Sequence, residues 1–579
     1  MKSSSKARIL RQTAQAVCLA LFLWLLWDAR WPLAASVLPH DLFLRLDPLV
    51  AFLVPITARE VVSRILPGLA VIVLALFFGR VFCGYICPMG TTLDLARPVV
   101  RLAVRPSVRL TVRLFGGKDG GNGEASGRGW RGGKYLICIA MVVAAFLGGN
   151  ILFWGSPIAL ITRFYGLLVH SGLLLAGDTA LKAGHPLFES LDWTGLSYLA
   201  VSLRRFDTLV FILFFFATLF VLERVRPRFW CRYVCPAGAL LALAALRPLW
   251  RRRVSACTGC GGCVRACPTG CIAPDGVDTL HGECITCRTC VDVCPVRGVS
   301  FTCGPVRTEL RGRAAKRDER EEDAASFASA SRCLTPLPSR RAFLGAAGAG
   351  AALASARCLG LPGFPRFESR EGLLSEGLVR PPGSLPELEF LARCIRCGEC
   401  MKACPTNTLQ PVWLAAGVEG MFSPVIMPRT GPCEPDCTVC GQVCPTQAIR
   451  ALPVDDKHWA KVGTAVVRQS TCLAWAEGRE CMVCQEVCPF GSVKIVRQEG
   501  HTVSVPVVDP ARCFGCGYCE YHCPTARPSI VVMPLSSLRL SGGSYRTAAQ
   551  SQGLTLNPGI HGQANETVSE DDLPPGFSE

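Results

Sequence analysis

The sequence predicts an α-helical membrane domain of four spans, built as two repeated hairpins, joined to small cysteine-rich α+β domains. The 579 residues exceed the roughly 250 to 300 at which a single core stops growing. Half of the residues are hydrophobic and only 18% are charged, which excludes a disordered chain and favours membrane spans. The 34 cysteines are about 6% of a long chain, below the share typical of short disulfide scaffolds, so we expect them to bind metal.

Four apolar runs, at residues 14–28, 65–82, 134–154 and 207–222, are each near the length needed to cross about 30 Å of hydrocarbon. Buried core helices are the alternative. A fifth run, at 156–177, contains Arg163 and His170, and we interpret it as an external or re-entrant segment. Basic residues are concentrated at the N-terminus and after the second and fourth runs, which predicts that these regions are cytoplasmic. Residues 1–250 are therefore expected to form a four-helix domain in contact with membrane lipid.

The second and fourth runs lead into the same motif, C-x-Y-[IV]-C-P-x-G. It contains Cys83 and Cys87 in the first copy and Cys231 and Cys235 in the second, 148 residues later. This internal repeat predicts two equivalent hairpins with four thiols at the cytoplasmic membrane edge. The thiols could bind a further metal, act as a dithiol relay or contact the neighbouring cysteine-rich domain. A structural turn in which proline starts the next helix is the alternative.

The remaining chemistry lies in six cysteine quartets. Four have the spacing C-x2-C-x2-C-x3-C-P, and two, starting at Cys433 and Cys472, are looser. In this spacing three thiolates hold one [4Fe-4S] cluster while the fourth ligates the cluster of the neighbouring quartet, so quartets work in pairs. The predicted ligands, named here as sites 1 to 6, are Cys257, Cys260, Cys263 and Cys294 (site 1); Cys284, Cys287, Cys290 and Cys267 (site 2); Cys394, Cys397, Cys400 and Cys444 (site 3); Cys433, Cys437, Cys440 and Cys404 (site 4); Cys472, Cys481, Cys484 and Cys523 (site 5); and Cys513, Cys516, Cys519 and Cys488 (site 6).

These paired quartets resemble bacterial two-cluster ferredoxins. Zinc is the competing metal, but its structural sites use two separated C-x2-C pairs without the close third cysteine and proline. Covalent c-type haem is excluded because no C-x-x-C-H occurs. We expect a cytoplasmic ferredoxin domain at 251–303, a linker at 304–338, a four-cluster domain at 390–535 and a disordered tail at 536–579.

An internal export signal is predicted at 339–360. Arg340 and Arg341 are followed by Phe343, Leu344 and a Gly/Ala-rich stretch that ends at Ala356, a pattern typical of twin-arginine signals. Such a signal exports folded, cofactor-loaded domains, which places the four-cluster domain in the periplasm. Cleavage after Ala356 and retention as a fifth crossing both stay open.

Residues 1–303 look like the NapH family of membrane ferredoxins, which is related to NosR and MauN, and residues 339–535 resemble the periplasmic NapG and MauM ferredoxins. The resemblance implies a natural fusion in the bacterial inner membrane that acts as a quinol dehydrogenase component. It would pass electrons from the quinol pool to a periplasmic redox enzyme or cytochrome, such as a nitrate reductase. An assembly factor for a periplasmic redox enzyme and an iron–sulfur redox sensor are the alternatives.

The net charge of +17 does not require a nucleic acid partner. Each oxidised cubane with four thiolates carries about −2, so six would bring the holoprotein to about +5. Much of the basic excess therefore offsets cofactor charge and marks the inner membrane face.

Overall fold

The computed structural model describes residues 2–33, 36–103, 132–193, 195, 199, 201–303, 338–358, 378–413 and 417–556. The helices of the first half are α1 (Lys2–Asp28), α2 (Leu42–Arg45), α3 (Pro48–Ala58), α4 (Pro67–Phe78), α5 (Pro88–Ala103), α6 (Gly133–Phe146), α7 (Leu152–Gly155), α8 (Pro157–Arg163), α9 (His170–Ser190), α10 (Leu209–Val225) and α11 (Pro236–Ala244). Short π-helices occupy Phe82–Ile86, Phe164–Val169 and Trp230–Val234. The expected linker at 304–338 lies almost wholly outside the described residues.

Two helices among the described residues are long and apolar enough to cross a membrane, Arg8–Asp28 within α1 and the continuous helix Pro157–Ser190. The first contains the run predicted at 14–28. The runs at 65–82, 134–154 and 207–222 form α4, α6 and α10, of 12, 14 and 17 residues. These are shorter than the roughly 20 residues of a full span, so the four-span arrangement stays a prediction. The run at 156–177 differs from the expected external or re-entrant segment, because it begins the 34-residue helix.

The first cysteine-rich domain has its own small core. Strand β1 (Trp250–Val254) pairs antiparallel with β2 (Val299–Cys303), and the short helices α12 (Gly262–Ala266) and α13 (Thr289–Asp292) lie between them in the chain. Cys271, Ile272, Cys290 and Val299 are buried together there. The pairing of β1 with β2 brings the two ends of the domain together, as the α+β prediction requires.

The second cysteine-rich domain is built from three two-stranded antiparallel sheets and short helices. Its strands are β3 (Leu409–Pro411) with β4 (Pro424–Ile426), β5 (Thr464–Val467) with β8 (Ile530–Met533), and β6 (Val493–Val496) with β7 (Val505–Val508). After α14 (Arg340–Cys358), its helices are α15 (Glu387–Arg393), α16 (Glu399–Ala403), α17 (Gly417–Gly420), α18 (Val439–Gln442), α19 (Val454–Lys457), α20 (Leu473–Ala476), α21 (Val483–Glu486), α22 (Tyr518–Tyr521) and α23 (Tyr545–Ser551).

The predicted disordered tail at 536–579 is wrong for its first part. Residues 536–556 pack on the second domain through the buried side chains of Tyr545 and Leu556 and an ion pair between Arg539 and Glu387. Composition misled the prediction, because a few apolar side chains and one arginine anchor an otherwise polar segment. Residues 557–579 lie outside the described part of the chain.

The two cysteine-rich domains contact opposite ends of the same helices. The first touches the end of α4 and the start of α6, where Arg80 and Lys134 both bind Glu283. The second touches the segment before α4, where Arg64 donates to the carbonyl oxygens of Gln442 and Cys444, and the segment after α6, where Asn150 donates to that of Ala392. The helices of the first half therefore separate sites 1 and 2 from sites 3 to 6.

Candidate metal centres

Five cavities are each lined by one of the predicted cysteine sets. Site 1 lines one, site 2 another, and sites 3, 4 and 5 one each, with every crossed fourth cysteine in its expected cavity. Their empty volumes run only from 300 to 380 Å³, which suits one kind of group in all five. The structure thus brings these 20 predicted ligands together in the predicted groups.

The cysteines of site 6 lie together as well. Burial raises the pKa of the Cys519 thiol, and the nearby negative charges of Cys516, Cys513 and Cys488 raise it further. Phe490 and Phe514 stack behind the site at 5.0 Å between ring centroids. Cys488 comes from the other quartet of the pair, so here too the fourth cysteine of one quartet lies near the first three of its neighbour.

The regular quartets share a local turn that explains their spacing. The residue after the second cysteine has positive φ, +64° at Gly261, +57° at Arg288, +82° at Gly398 and +82° at Gly517, and a short helix carrying the third cysteine starts there. This left-handed residue reverses the chain, so the second and third sulfurs face the same cavity. Glycine occupies three of the four positions because it adopts positive φ without steric cost.

The two looser quartets use a different turn. At the equivalent positions Thr438 has φ of −116° and Met482 of −118°, and the helix begins without a left-handed residue. Three residues lie between the first two cysteines of site 4 and eight between those of site 5, instead of two. These one and six extra residues supply the reach that the left-handed turn gives elsewhere. The looser spacing therefore still leads to cavities of the same kind.

The donor chemistry fits a multi-iron cluster. Burial raises the pKa of Cys437 and of Cys484 to about 12, so these thiols favour the thiolate only when a cation is bound beside them. Each of the five cavities is lined by four predicted cysteine ligands, which is the number that a [4Fe-4S] cluster needs.

Sites 3 to 6 follow one another in space in an order that differs from their order in the chain. Sites 3 and 4 share two short segments, because Cys400 and Cys444 line one cavity while Cys404 and Cys440 line the other. Cys433 of site 4 donates its backbone N–H to the carbonyl oxygen of Cys516 in site 6, at 2.8 Å. Site 5 adjoins site 6, because its ligand Cys523 follows Cys519 of site 6 by four residues. The spatial order is 3, 4, 6, 5.

Site 3 is the end of this line that touches the helices of the first half. Asn150 donates to the carbonyl oxygen of Cys394 at 3.3 Å, and Arg396 donates to the carbonyl oxygen of Asn150 at 2.8 Å. A methyl group added at Gly398 would lie 3.3 Å from the Arg163 side chain in the continuous helix Pro157–Ser190. Arg163 also stacks over Phe422 at 5.0 Å. The ligand loop of site 3 is therefore packed directly on that helix.

The outer ends of the two domains are exposed. Cys257 and Cys260 of site 1 are exposed, whereas the first three cysteines of site 3 are buried. At site 5, all four cysteines are partly exposed, and Met482 between two of them is 54% exposed. Sites 1 and 5 are thus the places where another protein could approach closely.

The cysteines predicted at the membrane edge and the residues of the predicted export signal also have defined positions. Cys83, Cys87, Cys231 and Cys235 lie in two adjacent turns that meet at Arg80 and Gly238, with Cys83 partly exposed and the others buried. Arg340, Arg341, Phe343 and Leu344 are exposed at the start of α14. This helix packs on α6, where a methyl group added at Gly350 would lie 2.4 Å from the carbonyl oxygen of Ala140.

Sequence reasoning missed several functional residues. Arg80, Arg228 and Lys402 are buried cations whose partners lie far away in the chain, so no local pattern identifies them. Cys271 belongs to none of the six predicted sites, yet its sulfur lies 3.6 Å from that of Cys267 in the site 2 cavity. Its position four residues after Cys267 was the available signal.

Family models match five segments of the chain. Models described as 4Fe-4S dicluster domains match 249–295 and 479–526, and models described as 4Fe-4S binding domains match 391–410 and, twice, the hairpin segments 62–106 and 208–254. No solved structure matches the chain.

Curated relatives give the family. The methylamine utilization ferredoxin-type protein MauM of Methylophilus methylotrophus is 41% identical over 165 residues, which are 27% of this chain and 71% of the relative. MauM of Methylorubrum extorquens is 34% identical over 221 residues, 37% of this chain and 97% of the relative. The ferredoxin-type protein NapG of Escherichia coli is 37% identical over 169 residues, 27% of this chain and 71% of the relative. With its several 4Fe-4S domains, the chain belongs to the family of ferredoxin-type proteins that includes MauM and NapG.

Proposed function

We propose that this protein is a membrane-bound iron–sulfur conduit that takes electrons from quinol and delivers them to a periplasmic redox enzyme. The spatial order of sites 3, 4, 6 and 5 carries the proposal. A storage or sensing protein has no need of a line of centres, whereas electron transfer needs neighbouring centres that run from the donor to the acceptor. The line starts against the helices of the first half and ends at an exposed face.

The residues of sites 1 to 6 would hold six [4Fe-4S] clusters. When bound, such clusters exchange one electron at a time, at potentials set by hydrogen bonds, charge and exposure. The chain supplies hydrogen bonds of the kind that tune these potentials: the backbone N–H groups of Ser492 and Ser529 donate to the sulfurs of Cys488 and Cys523, both at 3.4 Å. Exposure differs most between site 1, where Cys257 and Cys260 are exposed, and site 3, where the first three cysteines are buried.

The first half would act as a NapH-type membrane domain fused to a periplasmic domain of NapG and MauM type. Two long apolar helices support residence in the inner membrane, and contacts at opposite helix ends support sites 1 and 2 on the cytoplasmic side and sites 3 to 6 outside. The twin-arginine motif at the start of α14 would direct the export of the second domain. The packing of α14 on α6 favours its retention as a further membrane helix.

Anaerobic reduction by a quinol tests the proposal. Wild-type holoprotein in lipid vesicles should show reduced clusters by EPR after addition of a short-chain quinol. Cys397→Ser, which removes a ligand at the start of the line, should block reduction of sites 4, 5 and 6 by quinol while dithionite still reduces them. Cys472→Ser, at the far end, is the matched control and should leave reduction of sites 3, 4 and 6 intact.

Wild-type clusters that stay oxidised in the presence of excess quinol would overturn the conduit and favour the assembly role. Equal quinol reduction of sites 4 to 6 in Cys397→Ser and in wild type would overturn the entry at site 3. The acceptor is then identified by adding candidate periplasmic oxidoreductases to the quinol-reduced protein and following cluster reoxidation.

A further inference from the structure

The internal repeat brings four cysteines from two distant segments into one group. Cys83 and Cys87 follow α4, and Cys231 and Cys235 follow α10, each pair spanning a short π-helix that ends in Cys-Pro. Arg80 and Gly238 link the two pairs. The Arg80 guanidinium lies 4.0 Å from the sulfur of Cys83, and a methyl group added at Gly238 would meet both that guanidinium and, at 3.5 Å, the carbonyl oxygen of Cys231. The two cysteine pairs therefore lie side by side, with Cys87, Cys231 and Cys235 buried.

Two buried arginines tie the halves together by a crossed contact. Arg80 and Arg228 occupy equivalent positions of the repeat, and each is 1% exposed. Arg228 of the second half donates to the carbonyl oxygen of Cys83 in the first half at 2.9 Å. A methyl group added at Gly238 of the second half would lie 2.5 Å from the guanidinium of Arg80 in the first. The equivalent Gly90 lies beside Arg228 in the same way.

Two features beside the thiols would stabilise thiolates that bind a metal. The backbone N–H of Gly238 donates to the sulfur of Cys235 at 3.3 Å, where Cys235 caps the N-terminus of α11. The guanidinium of Arg80 lies 4.0 Å from the sulfur of Cys83, and its buried Nε has no hydrogen-bond partner among the described residues. A helix N-terminus and a neighbouring arginine both stabilise thiolates.

The group also touches site 2. A methyl group added at Gly84 would lie 2.5 Å from the carbonyl oxygen of Ile285, and the hydroxyl of Tyr85 donates to the carbonyl oxygen of Thr286 at 3.1 Å. Both carbonyl groups lie between Cys284 and Cys287, the first two predicted ligands of site 2. A redox centre held by the four thiols would therefore sit against the ligand loop of its neighbour.

We infer that Cys83, Cys87, Cys231 and Cys235 together hold one further iron–sulfur cluster, shared between the two halves of the repeat. The matching family model is described as 4Fe-4S binding, but each matched segment contains only two cysteines of its own, too few for a cluster. The fold brings the two pairs together and so supplies the four cysteines that a cluster needs. Four cysteine thiolates suit a [2Fe-2S] or a [4Fe-4S] cluster.

Cluster counting on the anaerobically reconstituted full-length protein tests the inference. Native mass spectrometry of the wild type should give seven clusters, with about 28 irons if the seventh is [4Fe-4S] and about 26 if it is [2Fe-2S], against about 24 for six cubanes. The paired variants Cys83→Ser/Cys87→Ser and Cys231→Ser/Cys235→Ser should each lose the whole seventh cluster and keep the other six. Cys18→Ser/Cys138→Ser, which alters two thiols outside all the sites, should match the wild type.

Three results would overturn the inference: a wild type with only six clusters and a disulfide or free thiols at these positions, a zinc ion in place of iron, or a paired variant that keeps the wild-type iron content. The number of clusters in the wild type tests the inference even if a paired variant does not fold. The inference is independent of the electron donor, because a seventh cluster can be present in a protein that quinol fails to reduce.

Discussion

Replacing Lys402 with methionine should loosen the second cysteine-rich domain from the end of α1. Lys402 is 2% exposed, and its Nζ donates to the carbonyl oxygens of Leu26, Trp27 and Ala29, the last two at 3.0 Å. Carbonyl groups at a helix C-terminus lack partners within the helix and carry the negative end of its dipole. Methionine keeps the length of the side chain but removes the charge and the three hydrogen bonds.

The free energy of opening this contact should fall by about 3 to 5 kcal/mol, since breaking a buried charged contact leaves its partners unsatisfied. Because 1.4 kcal/mol is a factor of ten, opening of this contact should become at least about 100-fold more frequent. Hydrogen exchange of the amides at residues 26–33 in the holoprotein measures that opening. Lys457→Met is the matched control, because Lys457 is also buried but donates to Glu434 and Pro435 within its own domain. Unchanged exchange at 26–33 in Lys402→Met would refute the anchoring role.

Three further outcomes are expected. Cys404→Ser should remove the cluster of site 4 and not that of site 3, which is measured as a loss of about four irons and of one EPR signal. The control Cys303→Ser, at an exposed cysteine outside the sites, should lose no cluster, and loss of the site 3 signal in Cys404→Ser would contradict the crossed ligation. An oxidant with an iron chelator should remove the cluster of the exposed site 1 before that of the buried site 3. Mössbauer spectra taken over time follow both losses, and equal rates of loss would argue that burial does not protect the cluster of site 3. Gly84→Ala should destabilise the docking of the first domain by about 1 to 3 kcal/mol, because the added methyl group meets the Ile285 carbonyl oxygen. Gly172→Ala is the control, because its methyl group meets open space, and equal melting temperatures for the two variants would exclude the close contact at Gly84.

The cysteine sites were predictable from the sequence because their chemistry is local. Each quartet places its sulfurs by a short turn, such as the left-handed residue at Gly398, and the crossed fourth ligand follows from the proline-terminated spacing. The tail at 536–556 was not predictable, because its buried Tyr545 packs against Arg450, 95 positions earlier. Apolar runs predicted helices, but they did not predict that Arg163 is buried within the helix Pro157–Ser190, where it stacks over Phe422.

Ligand spacing and residue type were enough to predict the grouping of the cysteines, the internal repeat and iron–sulfur chemistry, and the matches to 4Fe-4S models support the last of these. The folded chain alone shows the order 3, 4, 6, 5, the grouping of Cys83, Cys87, Cys231 and Cys235, and the placement of the two domains at opposite helix ends. These arrangements rest on contacts between residues up to several hundred positions apart, such as Lys402 with Leu26 and Arg80 with Glu283. Such contacts follow from the packing of whole elements, and no short segment of the chain encodes them.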